Sequence, residues 1–265
     1  MIVFVEQNLN ATTSVALFHA LARRRIECIV LTEPSNMCVS LGYFDNANRF
    51  LDFNYCKTHD IPVIRRQTGG GTVLLHQGQI FYQFIFSKSN KKIPLKLENV
   101  YKYFSSIVIE VYRKIGLEAL YKPVADIVIK DKKISGQGAG DIENMLVFVG
   151  NILMDFDFDT MANIISYVKD KKAFKNILES NITTIKKEGL NIDKQKIFEA
   201  FIDTLKEKFG DIKISALPVD ILEEAKTIEK ELSSYEVITE DTGKEHRAFK
   251  IREDYLIDPS TLDKI

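Results

Sequence analysis

Residues 65–76 read Arg65-Arg66-Gln67-Thr68-Gly69-Gly70-Gly71-Thr72-Val73-Leu74-Leu75-His76. Three successive glycines contribute no packing and lose more conformational freedom on folding than any other residue, so a chain that keeps them has a backbone that something approaches closely. The two arginines imply an anion. A guanidinium offers a fixed fork of donors suited to phosphate or carboxylate, and glycine amides can cradle the same groups without obstruction. A phosphate site is the first expectation, with a glycine-rich hairpin bearing solvated arginines as the bland alternative. Neither common phosphate fingerprint fits: the Walker pattern needs Lys-Ser/Thr after its second glycine, and GxGxxG must lie between a strand and a helix. Here the chain continues as strand. Residues 72–75 and, after His76-Gln77-Gly78-Gln79, residues 80–86 are rich in β-branched and aromatic side chains, which places the glycine loop inside an antiparallel sheet.

A second segment, Asp126-Ile127-Val128-Ile129-Lys130-Asp131-Lys132-Lys133-Ile134-Ser135-Gly136-Gln137-Gly138-Ala139-Gly140, reads as a strand, a tight turn at 130–132, and a strand that dissolves into small residues. Lys133 opens that second strand and can aim a mobile point charge at a phosphate or carboxylate, whereas Lys130 and Lys132 look like solvated turn charges. That all three are surface lysines is the alternative.

In this order and spacing the two segments resemble the lipoate–protein ligase A family of the biotin/lipoyl ligase and transferase superfamily. The resemblance spans residues 35–187, with Val39-x-Leu41-Gly42 leading into the glycines, Gly150-Asn151-Ile152-Leu153-Met154-Asp155 after the lysine, and Ser180-Asn181-Ile182-Thr183-Thr184-Ile185 resembling a Ser-x-Val-x-x-Leu element. It implies an α+β fold with a mixed, mostly antiparallel sheet flanked by helices, of the class II aminoacyl-tRNA synthetase/biotin ligase type. The implied activity is ATP- and Mg²⁺-dependent conversion of lipoate, or a similar medium-chain acid, to an acyl-adenylate. The acyl group then passes to a lysine of a lipoyl-domain protein, such as a 2-oxoacid dehydrogenase E2 or glycine cleavage H protein, and a separate accessory ligase subunit is a further implied partner. By the same resemblance Arg66, the loop Gly69, Gly70, Gly71, Thr72, Val73 and Leu74, and Lys133 contact the nucleotide, and Lys133 also holds the acyl carboxylate. Ser135, Gly136 and Gly150 are grouped with these substrate-binding residues, as is His76, whose own reading is structural because adenylation needs no base there. The chemistry suits the residues, since joining two anions requires positioning and charge neutralisation rather than a nucleophile. Asp126, read as exposed at a strand start, either accepts hydrogen bonds from substrate, ligates Mg²⁺, or is a simple turn residue.

The sequence also departs from that family. His76-Gln77 stands for a usual His-Asp, Ala125-Asp126 for Asn-Asp, Val149-Gly150-Asn151 for His-Gly-Thr, and residues 14–21 of the first helix carry no acid. A rival within the superfamily is an octanoyl or lipoyl transferase that works without ATP through a cysteine thioester. Such relatives carry the thiol a few residues before position 126 or on the strand after the lysine. Residues 118–125 hold no cysteine and none follows Cys56, while a thiolate is indispensable to that mechanism. Cys28, Cys38 and Cys56 read as small buried hydrophobes. A third reading is a non-catalytic paralogue that binds lipoyl domains or a small acid, which would have no use for Lys133.

Composition bounds the rest. A chain of 265 residues with 45% hydrophobic content can bury one good core, and a net charge of −1 argues against nucleic-acid binding as its main work. Three cysteines and no long apolar run lead to the expectation of a cytoplasmic protein without a membrane segment. Residues 1–234 are expected to form the catalytic domain and 235–265 a short extension, not a full accessory domain. Helices are expected over 12–25, 47–59, 99–115, 197–210 and 218–232, strands over 2–5, 26–31 and 37–41, and a hairpin around Asp241-Thr242-Gly243-Lys244.

Overall fold

The aromatic run at 79–87 and the segment 145–153 are buried at almost every position, the pattern of strands covered on both faces. The computed structural model describes residues 1–243 and 248–257. In chain order they form β1 (Ile2–Leu9), α1 (Ala11–Arg23), β2 (Cys28–Pro34), β3 (Cys38–Leu41), α2 (Ala47–Phe50), α3 (Phe53–Thr58), β4 (Val63–Arg65), β5 (Val73–Leu75) and β6 (Gln79–Ser87). Next come α4 (Leu97–Lys114), β7 (Leu120–Lys122), β8 (Asp126–Ile129), β9 (Lys132–Ile142), β10 (Met145–Leu153), α5 (Phe158–Asn163) and α6 (Lys171–Asn181). The last elements are α7 (Lys194–Phe209), β11 (Lys213–Ser215), α8 (Val219–Leu232), α9 (Tyr235–Ile238), β12 (Phe249–Arg252) and β13 (Tyr255–Ile257).

The main sheet has eight strands in the order β11-β1-β2-β6-β10-β9-β8-β7. Only β11–β1 and β1–β2 pair in parallel; the other neighbours are antiparallel. Helices α1 and α8 cover one face, around Phe18, Leu21, Val147 and Ile228. On the other face α4 and α7 enclose a cluster in which Phe104 lies 4.7 Å from Phe84 and 5.0 Å from Phe148, ring centre to ring centre. This is the expected α+β architecture with a mostly antiparallel sheet. Among the described residues no helix is long and apolar enough to cross a membrane.

Three local expectations change. The glycine loop connects β4 to β5, which belong to a separate three-stranded sheet, β4-β3-β5, where β3 pairs in parallel with β4 and antiparallel with β5. The loop therefore leaves the edges of a small mixed sheet rather than sitting inside an antiparallel one. The helix expected over 47–59 is split, because Leu51 is extended and Asp52 caps a new helix, accepting from the Tyr55 amide at 2.8 Å. The hairpin expected at 241–244 falls partly outside the described residues, and the hairpin that forms is β12–β13, with its turn at Glu253-Asp254.

Candidate active site

Alternate residues of a strand share a face, so Gly136, Gly138 and Gly140 of β9 present one bare backbone surface. The loop 67–71 lies on it. A Cβ at Gly138 would collide with the Gly69 carbonyl, and one at Gly140 would come within 2.8 Å of the Gln67 carbonyl. The Gly69 amide donates to the Ala139 carbonyl at 2.9 Å, and Gly70 has φ +90°, which only glycine adopts freely. Much of the close approach that the sequence implied is thus between two stretches of protein, and Gly70 and Gly71 are left facing the cleft beside it.

Neither arginine is solvated. Arg65 donates to the Tyr43, Val237 and Ile238 carbonyls at 2.8, 2.8 and 2.6 Å. Arg66 donates from Nη1 to the Ser40 carbonyl at 2.7 Å, and from Nη2 to the Gly69 and Gly71 carbonyls at 3.1 and 2.7 Å. Burial pulls its pKa down and Asp45 opposes that pull. The Asp45 carboxylate in turn accepts from the Thr72 hydroxyl at 2.8 Å and the Gly42 amide at 3.1 Å.

His19 is a residue that sequence reasoning missed. Its Nδ1–H donates to the Val15 carbonyl at 3.0 Å, and Nε2 accepts from the Gln67 amide at 3.0 Å, tying α1 to the start of the glycine loop. Complete burial lowers its pKa to about 3, which keeps Nε2 free to accept.

On the opposite wall the Lys133 ammonium lies 2.8 Å from Asp126 Oδ1. Asp126 Oδ2 accepts from the Glu253 amide at 2.7 Å. The expectation of an exposed Asp126 is corrected: it is 0% exposed, because the β12–β13 turn from the far end of the chain closes over the start of β8. Oδ1 has the Lys133 ammonium beside it but no hydrogen-bond partner, and among the described residues lining the two chambers Asp126 is the one carboxylate. At Gly136 a Cβ would come within 2.9 Å of Lys133 Cε, so the missing side chain is what lets the lysine lie across its own strand.

The cleft has two chambers. One, about 650 Å³ with its open mouth included, runs beneath α1 to Val15, Leu75, Phe81 and Val149; the other, about 490 Å³ on the same measure, lies between Phe156, Met161, Leu178, Ile182 and Phe249. Thr72, Val73, Lys133, Gly136, Asn151 and Lys250 line both, so the lysine stands where they meet. Of the predicted residues, Arg66, Gly70, Gly71, Asp126 and Gly150 line the first chamber and Leu74 the second. Gly69 lines a separate outer groove. Ser135 and His76 line neither chamber: Ser135 Oγ is 3.0 Å from the Tyr82 hydroxyl inside the core, and His76 Nδ1 accepts from the Gly78 amide at 3.0 Å. Asn151 bridges the walls, accepting from the Gly136 amide at 3.0 Å and donating to Gln79 Oε1 at 2.8 Å, while Gln79 donates to the Leu74 carbonyl at 2.8 Å. Gln137 and Lys250 line the cleft without having been anticipated.

All three thiols are buried and none lines either chamber. Burial raises the pKa of each, that of Cys56 to about 11, which leaves them as thiols rather than nucleophiles.

A mostly antiparallel α+β scaffold that presents a glycine loop and one carboxylate-held lysine to a two-chambered cleft defines an acid-activating or acyl-transferring catalytic domain. The chain belongs to the lipoyl protein ligase A/B catalytic domain family, whose model matches residues 8–206. Relatives of similar sequence include the octanoyltransferase LipM of Geobacillus kaustophilus, 24% identical over 194 residues covering 64% of this chain and 68% of that one. The Bacillus subtilis octanoyltransferase LipM is 22% identical over 195 residues, 63% of this chain and 70% of the relative. The bi-partite lipoate protein ligase of Thermoplasma acidophilum, studied with its E2 lipoyl domain, superimposes with a TM-score of 0.76 at 20% identity, over 90% of this chain and 95% of that one. A lipoate-protein ligase A bound with ATP gives 0.73 at 19% identity, over 90% and 97%. These two structures establish the fold they share with this chain.

Proposed function

We propose that this chain is a lipoate–protein ligase, joining lipoate or a similar medium-chain acid to ATP and passing the acyl group to a lysine of a lipoyl-domain protein. The observation that carries this reading is the pair of chambers meeting at Lys133 with no thiol on either wall. The acid's tail takes the chamber beneath α1, whose end is formed by Val15, Phe81 and Val149, and its carboxylate comes to Lys133. The nucleotide takes the chamber lined by Phe156 and Phe249, with its phosphates at the junction. Among the described residues the Gly70 and Gly71 amides have no intramolecular acceptor and suit an anion there. A carboxylate oxygen attacks the α-phosphate, pyrophosphate leaves, and Lys133 offsets the charge shared between the two groups. The acceptor lysine, as a free amine, then attacks the acyl carbonyl and AMP leaves. Arg66 acts from behind, fixing the loop by its carbonyls.

A second reading, an ATP-independent octanoyltransferase, is favoured by the names of the sequence relatives. Acid-dependent ATP–pyrophosphate exchange, measured with lipoate, octanoate and biotin, separates the two. Exchange with lipoate or octanoate supports the ligase. Absence of exchange, together with octanoyl transfer from a carrier-protein donor without ATP, overturns it.

A further inference from the structure

A second lysine reaches the cleft from outside the family match. Lys250 lies on β12, beyond residues 8–206, and lines both chambers at the junction where Lys133 stands. Its stem passes the glycine loop, 3.9 Å from where a Gly71 Cβ would be. Its ammonium is ion-paired with Glu253 of the same hairpin.

The hairpin is fastened on two sides. Underneath, Phe249, Ile251 and Ile257 are buried, with the Phe249 ring 6.0 Å from Phe174 and 6.4 Å from Phe50. At the turn, the Ala125 amide donates to Glu253 Oε1 at 2.9 Å, Lys122 Nζ lies 2.7 Å from Asp254 Oδ2, and Arg252 donates to the Asp131 carbonyl. Because the Glu253 amide also donates to Asp126, one carboxylate sets the position of both lysines: Asp126 holds Lys133 with Oδ1 and the hairpin of Lys250 with Oδ2.

Two anions brought to bonding distance need positive charge on both sides. Arg66 spends both terminal nitrogens on Ser40 and the loop carbonyls, and Lys133 has Asp126 beside it. Lys250 supplies the missing charge. We propose that Lys250 binds the phosphate that enters this cleft, exchanging Glu253 for it, while Lys133 holds the acyl carboxyl group. The proposal rests on the reading above that ATP enters this cleft, since only adenylation brings a phosphate to the acyl carboxylate.

The test uses the full chain as wild type, Lys250→Met and Lys250→Arg, titrated calorimetrically with ATP and, separately, octanoate. Lys250→Met is expected to weaken ATP binding about tenfold or more and octanoate binding less than about twofold, with Lys250→Arg recovering most of the loss and all three proteins melting alike. Unchanged ATP affinity in Lys250→Met, or equal weakening of both ligands with a lowered melting temperature, overturns the proposal. A wild-type chain that binds ATP through Lys250 yet gives no pyrophosphate exchange sinks the ligase reading and keeps this one. A wild-type chain that does not bind ATP overturns the proposal.

Discussion

The floor and the cover of this cleft are built from different forces. On the floor, loop 67–71 lies directly on the glycine face of β9 and is fixed by the Gly69 amide donating to Ala139, the Gln67 amide donating to His19, and buried Arg66 donating to the Gly69 and Gly71 carbonyls. The cover, β12–β13, is apolar underneath and meets the cleft wall through hydrogen bonds at Glu253 and Arg252 and one ion pair, Lys122–Asp254, whose side chains are 23% and 49% exposed. Close backbone packing does not adjust, whereas exposed ion pairs are weak and exchange readily with water and salt. The floor is thus suited to fixing where reaction occurs, and the cover to exchanging one carboxylate for an incoming anion.

The largest expected effect falls on the wall opposite the loop. Lys133→Ala is expected to reduce acid-dependent pyrophosphate exchange by roughly a hundredfold or more, about 3 kcal/mol of transition-state stabilisation, while circular dichroism stays native. Near wild-type exchange would remove Lys133 from the chemistry. Gly138→Ala comes next: a Cβ there meets the Gly69 carbonyl, so a loss of about 1–3 kcal/mol in denaturant unfolding is expected, along with ligand affinity. An alanine variant that unfolds and binds as wild type would mean that the loop is not seated on β9.

A smaller effect is expected from His19. Its folded pKa is about 3 against an ordinary 6.5, so the unfolded chain takes up a proton that the folded chain excludes. The stability this gives is complete above about pH 6.5 and is lost as pH falls toward 3, at up to about 1.4 kcal/mol per pH unit. His19→Gln should flatten that part of the stability profile; an unchanged slope would place the titration elsewhere. The smallest effect belongs to the cover. Raising salt to about 1 M should weaken the exposed ion pair by no more than about 0.5–1 kcal/mol, seen as faster amide exchange in 249–257 while the Gln67 and Gly69 amides keep their protection. Equal loss of protection in both would erase the distinction between floor and cover.

The floor was legible in the sequence and the cover was not, for a physical reason. Glycines 69–71 and Lys133 stand in short contiguous segments whose residue types carry their chemistry, so spacing alone brings them forward. Asp126 reads as exposed because the amide that buries it belongs to Glu253, 127 positions away. Lys250 sits in a polar stretch without periodicity, where nothing local separates a cleft residue from a solvated one. His19 lies on a helix buried on every side, where a histidine reads as core. Arg65 and Arg66 read as anion ligands or as solvated charges, whereas their donors serve carbonyls of the chain, which residue type cannot reveal.

On the ligase reading the acyl group travels on a nucleotide bound where Lys133 and Lys250 meet, and never on the protein. Denaturing mass spectrometry of the chain, taken after a single turnover with octanoate and MgATP and separately after an octanoyl-carrier donor, tests it directly. Unmodified protein is expected in both cases, with acyl-AMP released on denaturation in the first. A chain heavier by one octanoyl group, attached at Cys28, Cys38 or Cys56 and lost on treatment with hydroxylamine, would contradict it.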